Sequence, residues 1–251
     1  MLLADDLACA LDPVILAQRV GIQPDPWQCD VLRSASKRRL LLCCRQSGKS
    51  TTTAVLAVHR ALYQPGALVL MLSPSLRQSG ELFKKATAVY GALGRPVPAE
   101  SETALTLTLT NGSRIVSLPG TEGTVRGFSG ASLIIEDEAS RVDDGLYEAV
   151  RPMVATSDGD LVLLSTPFGA RGHFWQAWEH GGDVWERTRV TAHDCPRISG
   201  AFLAEERQQM GTLAYRSEYE VEFADTDEQV FASDQVRAAV TSTLAPLWGA
   251  A

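Results

Sequence analysis

The stretch LLLCCRQSGKSTTTA at residues 40–54 decides the fold of this chain. An apolar run leads directly into GKS at 48–50, which is the order of strand, phosphate-binding loop and helix in a nucleotide site. The usual signature, G-x-x-x-x-G-K-[ST], has a glycine where this chain has Cys43. The loop can still form if Cys43 or Cys44 belongs to the strand, so that the loop begins one or two residues later.

This loop supplies the groups that hold a triphosphate. Backbone N–H groups of the turn and of the helix N-terminus point at one spot and favour a phosphate there. Lys49 would reach the β- and γ-phosphates, and Ser50 would hold Mg²⁺. The candidate nucleotide-binding residues of the loop are Gln46, Ser47, Gly48, Lys49, Ser50 and Thr51.

The composition is that of a globular protein. The 251 residues are 45% hydrophobic and 21% charged, which favours one α/β domain with at most a small appendage. No run reaches the roughly 18 to 20 apolar residues of a membrane span, and residues 1–10 contain acids where a signal peptide has basic residues. We therefore expect a soluble intracellular protein. Its cysteines and histidines follow no metal-binding spacing, so we expect the cysteines to be reduced and mostly in the core.

The net charge of −7 argues against a generally basic surface for nucleic acid. Residues 1–120 contain 13 Lys and Arg against 8 Asp and Glu (+5), whereas residues 121–251 contain 10 against 22 (−12). Any contact with DNA is therefore expected to be local and transient. Composition alone favours the simpler interpretation that the acidity aids solubility.

Short apolar runs alternate with segments that have the pattern of helices. Continuous apolar runs of this length are typical of strands buried on both faces of a parallel sheet. The predicted strands are 38–44, 67–73, 131–137 and 160–166, and the predicted helices between them are 49–63, 75–93 and 144–155. This alternation predicts a wound α/β sheet.

Two regions depart from that alternation. Residues 104–120 alternate with period two around Asn111-Gly112, which predicts a β-hairpin. Towards the C-terminus we predict a helix, a strand and further helices, which together form a smaller subdomain packed on the sheet. These elements are placed at 171–180, 183–190 and near 200–222. The predicted domain boundaries are 1–167 for the core, 168–231 for the subdomain and 232–251 for a tail.

The run LIIEDEA at 133–139 supplies acids at the end of an apolar strand, where Mg²⁺ needs carboxylate help close to the phosphates. Asp137 is predicted to be the Mg²⁺-associated Walker B residue, and Glu138 the base that orients the attacking water. Alternation along the strand directs Glu136 away from Asp137. The alternative interpretation is an acidic helix N-terminus, which the helix dipole would also favour.

The run LVLLSTP at 161–167 ends in hydroxyl groups at the same predicted edge of the sheet. Ligands bind at that edge of open parallel sheets, so Ser165 and Thr166 could sense the γ-phosphate. A strand that simply ends in a turn explains the same residues equally well.

Taken together, these motifs resemble the ATPase domain of the large terminase subunit, the DNA-packaging motor of tailed bacteriophages. The family's variant P-loop, with an arginine shortly before GKS and often no first glycine, is similar to the segment that begins at Arg45. Other resembling segments are PWQ at 26–28, MLSPSLRQSGELF at 71–83, LIIEDEA, LLSTP, and EYEVEFADTDEQVF at 218–231. The resemblance covers roughly residues 20–231 and implies a RecA-like P-loop NTPase of the ASCE class, whose mainly parallel sheet has flanking helices and a small lid-like C-terminal subdomain.

The resemblance also implies roles for individual residues. Gln28 would contact adenine, and Arg45 would complete the site in cis. Arg126, in GTVRGFSG at 123–130, resembles the arginine proposed to act as a finger on a neighbouring subunit's ATP. An arginine finger stabilises the charge that builds on the γ-phosphoryl oxygens. The alternative for each arginine is a structural ion pair.

The function implied by the resemblance is Mg²⁺-dependent ATP hydrolysis that drives double-stranded DNA into a procapsid. The implied partners are further copies in a ring on a portal and a small terminase subunit, in the host cytoplasm. Family members continue into an RNase H-like nuclease, which needs some 150 to 200 further residues. About 20 residues follow Phe231, so we expect no nuclease from this chain and interpret it as a fragment or as an ATPase with a separate nuclease. The alternatives are another P-loop nucleic-acid translocase and a non-catalytic nucleotide-binding scaffold.

Overall fold

The computed structural model describes residues 3–120, 125, 127–223 and 239. The strands are β1 (Arg38–Cys43), β2 (Leu68–Ser73), β3 (Ala99–Glu102), β4 (Thr106–Leu109), β5 (Arg114–Pro119), β6 (Leu133–Asp137), β7 (Asp160–Ser165) and β8 (Glu186–Val190). The helices are α1 (Leu3–Leu11), α2 (Pro13–Arg19), α3 (Pro26–Arg33), α4 (Lys49–Tyr63), α5 (Leu76–Ala92), α6 (Asp144–Val150), α7 (Gly172–His180), α8 (Gly200–Gln209) and α9 (Thr212–Glu218).

The strands form one sheet in the order β3-β4-β5-β2-β6-β7-β1-β8. Every pairing from β5 across to β8 is parallel, so these strands all end at the same edge of the sheet. Strands β2 and β6 are buried along their whole lengths, as expected for the centre of a covered parallel sheet. The four predicted apolar strands are confirmed, and with them the loops that follow β1, β6 and β7 are brought to one edge.

The predicted hairpin is confirmed as the antiparallel pair β4 and β5. Gly112 lies in the turn with φ +83°, a conformation that favours glycine. The Asn111 amide donates to the backbone oxygen of Ala61 over 2.9 Å and ties the turn to the end of α4. The short strand β3 beyond β4 was not predicted, because AESE is polar and mostly exposed and has no apolar alternation.

The helix predicted over 144–155 is shorter in the structure. Asp143 begins α6 by accepting a hydrogen bond from the Gly145 N–H over 2.8 Å. The α-helix ends at Val150 and continues as a 3₁₀ turn through Val154. Pro152 lies in that turn, and it cannot donate the backbone hydrogen bond that would continue the α-helix.

The C-terminal strand has a different place from the one predicted. Residues 183–190 were predicted to lie in a smaller subdomain packed on the sheet, but β8 pairs in parallel with β1 and forms one edge of the central sheet. This pairing satisfies the backbone groups of β1, which would otherwise be the exposed edge. The division between core and subdomain at residue 167 stays a prediction. The predicted tail and the end of the predicted subdomain lie, apart from residue 239, outside the described residues, at 224–238 and 240–251. No helix within the described ranges combines the length and apolar character needed to cross a bilayer.

Candidate nucleotide-binding site

The phosphate-binding loop begins after Cys43, which is the last residue of β1. Cys43 is fully buried, and that burial raises the pKa of its thiol to about 12. Cys43, which stands where the usual signature has a glycine, is therefore part of the strand. The loop begins one residue later, as predicted. Gln46 has φ +59° and Gly48 has φ +92°, so the chain turns through two left-handed residues before α4 begins at Lys49.

A side chain at Gly48 would not fit without a shift of its neighbours. A Cβ built on Gly48 would lie 2.7 Å from Gln28 Nε2, besides having to adopt φ +92°. The next residues run into the first turn of α4, where the N–H groups of Thr51 and Thr52 donate to the Gly48 oxygen over 3.0 Å. The candidate residues 46–51 thus form one continuous turn at the helix N-terminus, as an anion site requires.

Lys49 and Glu138 form an ion pair inside this site. Lys49 is 7% exposed, and its Nζ lies 3.1 Å from Glu138 Oε1. Burial lowers the pKa of Lys49, but the charges of Glu138 and Asp137 outweigh it, and the net shift is upward. The ammonium is therefore held charged at the N-terminus of α4.

The two predicted Mg²⁺ ligands are in direct contact. Ser50 Oγ donates to Asp137 Oδ2 over 2.8 Å, across the gap between α4 and β6. Burial raises the pKa of Asp137, and the charge of Lys49 opposes that shift. No group of three or more His, Cys, Asp or Glu side chains within the described ranges could hold a metal. One carboxylate and one hydroxyl fit Mg²⁺ when phosphate and water oxygens complete its shell.

Glu138 follows β6 in a left-handed conformation with φ +56°. A non-glycine residue in this region costs about 1–3 kcal/mol, and such residues are enriched at active sites and ligand clamps. Thr166 Oγ1 lies 3.5 Å from Glu138 Oε2, and the Ser140 N–H donates to Ser165 Oγ over 3.2 Å. The end of β7 is thus connected to Glu138 and Ser140, which follow β6.

Glu136 points to the other side of the strand, as alternation predicts. It has no exposed surface, and its Oε1 lies 2.8 Å from Nε2 of His173 in α7. Nδ1 of the same ring lies 3.1 Å from Asp144 Oδ1, and the ring stacks on Tyr147 with centroids 4.5 Å apart. The histidines were predicted only to lack a metal-binding spacing, so this contact between β6 and α7 was missed.

The predicted adenine-contacting residue is part of a second network. Gln28 is 6% exposed; its Oε1 accepts from the Asp25 N–H over 2.8 Å, and its Nε2 donates to the Ser47 oxygen over 3.4 Å. Arg197 donates to both carboxylate oxygens of Asp25 and to the same Ser47 oxygen. No sequence motif indicated Arg197, because it lies in a loop 172 residues from Asp25.

With the geometry described, comparison with known proteins decides the family. The model of the family described as "Terminase large subunit, T4likevirus-type, N-terminal" matches residues 40–238, which is most of the chain. This chain belongs to that family. The predicted resemblance is thereby confirmed.

Individual terminases agree with this assignment. The large subunit of Thermus virus P23-45 is 27% identical over 247 residues, covering 84% of this chain and 51% of the relative. The ATPase domain of the Thermus phage P74-26 large terminase has a TM-score of 0.74 at 22% identity, covering 83% of this chain and 97% of that structure. The large terminase of bacteriophage D6E in complex with ADP has a TM-score of 0.65 at 13% identity, covering 79% and 53%.

The structural likenesses confirm the predicted α/β P-loop fold with its mainly parallel sheet. The chain spans about half the length of the curated terminase large subunits that it matches. The comparisons thus assign the chain to the family, and they assign its described part to the α/β P-loop fold.

Of the two arginines predicted for this terminase chain, the structure describes Arg45, which is not at the acids. Arg45 is largely exposed, with Nε 3.0 Å from Glu218 Oε2 at the end of α9. Its backbone N–H also donates to the Glu218 oxygen over 3.2 Å. Arg45 therefore contacts the C-terminal helices rather than Asp137 or Glu138, and Arg126 lies outside the described residues.

Proposed function

We propose that this chain is the ATP-hydrolysing module of a DNA-packaging motor, dependent on Mg²⁺ and acting on double-stranded viral DNA. The observation that carries the proposal is the convergence of Lys49, Ser50, Asp137 and Glu138 at one edge of the sheet in a terminase-family chain. These side chains come from two elements far apart in sequence. A phosphate-binding loop beside paired acids at a strand end is the arrangement that phosphoryl transfer to water requires.

Each residue has a role in that reaction. The N–H groups of the loop and Lys49 hold the β- and γ-phosphates, and the positive charge offsets the charge that develops during transfer. Ser50 and Asp137 would hold the Mg²⁺ ion, which neutralises phosphate charge when bound. Glu138 orients the attacking water and accepts its proton.

The ion pair between Lys49 and Glu138 links nucleotide binding to activation of the base. The oxygens of a γ-phosphate would compete with Glu138 Oε1 for the Lys49 ammonium, which now lies 3.1 Å from that carboxylate. Once Lys49 turns to the phosphate, the Glu138 carboxylate is released to bind water. Glu138 would thus become an active base only when the triphosphate is in place.

Coupling to movement would run through the ends of β7 and α9. Ser165 and Thr166 contact the segment after β6, so a change at the γ-phosphate would be transmitted through them. Arg45 would leave Glu218 to complete the transition-state shell, and the C-terminal helices would shift against the sheet. That displacement is the step that could pull DNA. Crystal structures of the same chain with and without an ATP analogue would contradict this step if they showed no relative displacement.

The family role supports a proposal about the assembly. We propose a homo-oligomeric ring on a portal, with the small terminase subunit as a partner and the host cytoplasm as the location. In such a ring Arg126 would act on the ATP of a neighbouring subunit. Activity would then depend on subunit concentration.

Phosphate release with and without double-stranded DNA tests this function. We expect hydrolysis by the wild type to rise when DNA is added, and hydrolysis by Glu138→Ala to stay at background. Both proteins should be measured at concentrations where ring formation has been checked by light scattering. Equal background rates for both assembled proteins would contradict the motor and favour a non-catalytic scaffold.

A further inference from the structure

A loop far along the chain contacts the phosphate-binding loop. The backbone oxygen of Ser47 accepts one hydrogen bond from Gln28 Nε2 at 3.4 Å and another from Arg197 Nη2 at 2.9 Å. Two residues before Arg197, the sulfur of Cys195 lies 3.8 Å from that of Cys44 at the start of the loop. Residues 195–197 therefore contact the phosphate-binding loop at both of its ends.

The Arg197 side chain is held in one orientation by a buried acid. Its two terminal nitrogens donate to the two carboxylate oxygens of Asp25 over 2.8 Å and 2.7 Å. Asp25 is 8% exposed and precedes the first turn of α3. A bidentate pair of this kind fixes the plane of the guanidinium as well as its distance. The contact of Arg197 with Ser47 is therefore directional.

The same network fixes the amide of Gln28. The Asp25 N–H can only donate, so the atom that it contacts at 2.8 Å is Oε1. The Ser47 oxygen can only accept, so the atom that contacts it is Nε2. Each of these contacts uses one donor or acceptor of Gln28. Among the described residues these are its hydrogen bonds, so one N–H and one oxygen lone pair of the amide are left.

This remaining pair matches adenine rather than guanine. Along its N7 edge adenine presents an acceptor at N7 and a donor at N6, whereas guanine presents acceptors at both N7 and O6. An amide with one free donor and one free acceptor meets both groups of adenine but only one of guanine. Leaving buried polar groups unpaired is the strongest source of discrimination between such ligands.

We propose that Arg197 is a positioning residue that sets the affinity of the site for ATP and its preference for ATP over GTP. It acts by fixing Ser47 and, through Asp25, the amide of Gln28. Arg197 itself need not touch the nucleotide. This inference rests on the proposed function, because it requires that a nucleotide binds at this loop.

Equilibrium binding of ATP and GTP to the full chain, measured by titration calorimetry, tests the proposal. Arg197→Gln removes the charge, and Arg197→Lys keeps it but cannot span both oxygens of Asp25. Arg33→Gln is the matched control. Arg33 forms a comparable pair with Asp12, which precedes α2, through nitrogens 2.7 Å and 3.1 Å from one carboxylate oxygen.

We expect Arg197→Gln to weaken ATP binding about tenfold and GTP binding by much less, so that the preference for ATP falls. Arg197→Lys should lie between this variant and the wild type, and Arg33→Gln should match the wild type. Asp25→Asn combined with Arg197→Gln should cost less than the sum of the single changes, because both disturb one network.

Three outcomes would overturn the proposal. If folded Arg197→Gln bound ATP with wild-type affinity, Arg197 would not position the loop. If ATP and GTP were weakened equally, its effect would be structural rather than selective. If Arg197→Gln failed to fold, the ATP preference of Arg197→Lys would decide, and an unchanged preference would count against the proposal. A wild type that bound neither nucleotide would contradict the proposed function itself.

Discussion

Replacing His173 with phenylalanine would leave the carboxylate of Glu136 buried without its cationic partner. The two side chains are 4% and 0% exposed, and Nε2 lies 2.8 Å from Oε1. No described residue forms a hydrogen bond with the second oxygen, Oε2. Phenylalanine keeps a planar ring against Tyr147 and removes both ring nitrogens. The substitution therefore probes the polar contacts of His173 more than its packing.

The expected cost is large because both groups are almost fully shielded from water. Removing one partner of a buried ion pair costs about 3–5 kcal/mol, since the remaining charge is left uncompensated. In a domain of this size each kcal/mol lowers the melting temperature by about 2–4 °C. His173→Phe should therefore melt roughly 6–20 °C below the wild type.

Urea denaturation at pH 7 measures the loss of unfolding free energy. Four proteins are compared: the wild type, His173→Phe, Glu136→Leu and the double variant. The double variant should recover most of the stability lost by His173→Phe, because it buries no unpaired carboxylate. The reasoning would be refuted if the unfolding free energy of His173→Phe were within about 1 kcal/mol of the wild-type value. So would a double variant whose loss equals the sum of the single losses.

The same pair predicts a dependence on pH. Burial lowers the pKa of His173, but Glu136 and Asp144 outweigh it and the net shift is upward. The stability that this shift provides is complete below the unfolded pKa of histidine, about 6.5, and is lost as pH rises through the folded value. The difference in unfolding free energy between wild type and His173→Phe should therefore be larger at pH 6 than at pH 9. An equal difference at both pH values would mean that folding does not raise the pKa of His173.

Three further substitutions test other contacts. Asp137→Asn removes the carboxylate in contact with Ser50 and should slow phosphate release about 10²- to 10³-fold in steady-state assays. A rate within about twofold of the wild-type rate would be inconsistent with a role of Asp137 in holding the metal. Gly48→Ala forces φ +92° on alanine and places its Cβ 2.7 Å from Gln28 Nε2. Urea denaturation should therefore show a loss of about 1–3 kcal/mol in unfolding free energy, whereas wild-type stability would contradict the strain. Glu218→Gln frees the exposed side chain of Arg45 and should raise the rate of phosphate release about two- to fivefold. An unchanged rate would mean that Arg45 need not leave Glu218.

The phosphate-binding edge was predictable from the sequence because its signals are local. Buried parallel strands are continuous apolar runs, and the residue that follows each run lies at the same edge of the sheet. GKS follows β1, the acids Asp137 and Glu138 lie at the end of β6, and the hydroxyls of Ser165 and Thr166 lie at the end of β7. These groups could therefore be brought together without coordinates. The contact of Ser50 with Asp137 joins the first turn of α4 to the end of β6 at this edge.

The contacts that sequence reasoning missed are long-range and leave no periodic pattern. Arg197 meets Asp25 from 172 residues away, and His173 meets Glu136 from 37 residues away. Strand β8 was recognised as a strand, but alternation does not show which neighbour a strand pairs with, so its place beside β1 was missed. The contact of Arg45 with Glu218 likewise depends on where α9 packs.

The central claim is that one site both binds ATP and hydrolyses it through Glu138. Binding and cleavage of Mg²⁺·ATP should be measured together by filter retention and phosphate release, for the wild type, Glu138→Gln and Lys49→Ala. We predict that the wild type binds and cleaves ATP, that Glu138→Gln binds it without cleavage, and that Lys49→Ala does neither. Cleavage by Glu138→Gln at the wild-type rate, or undiminished binding by Lys49→Ala, would contradict the claim.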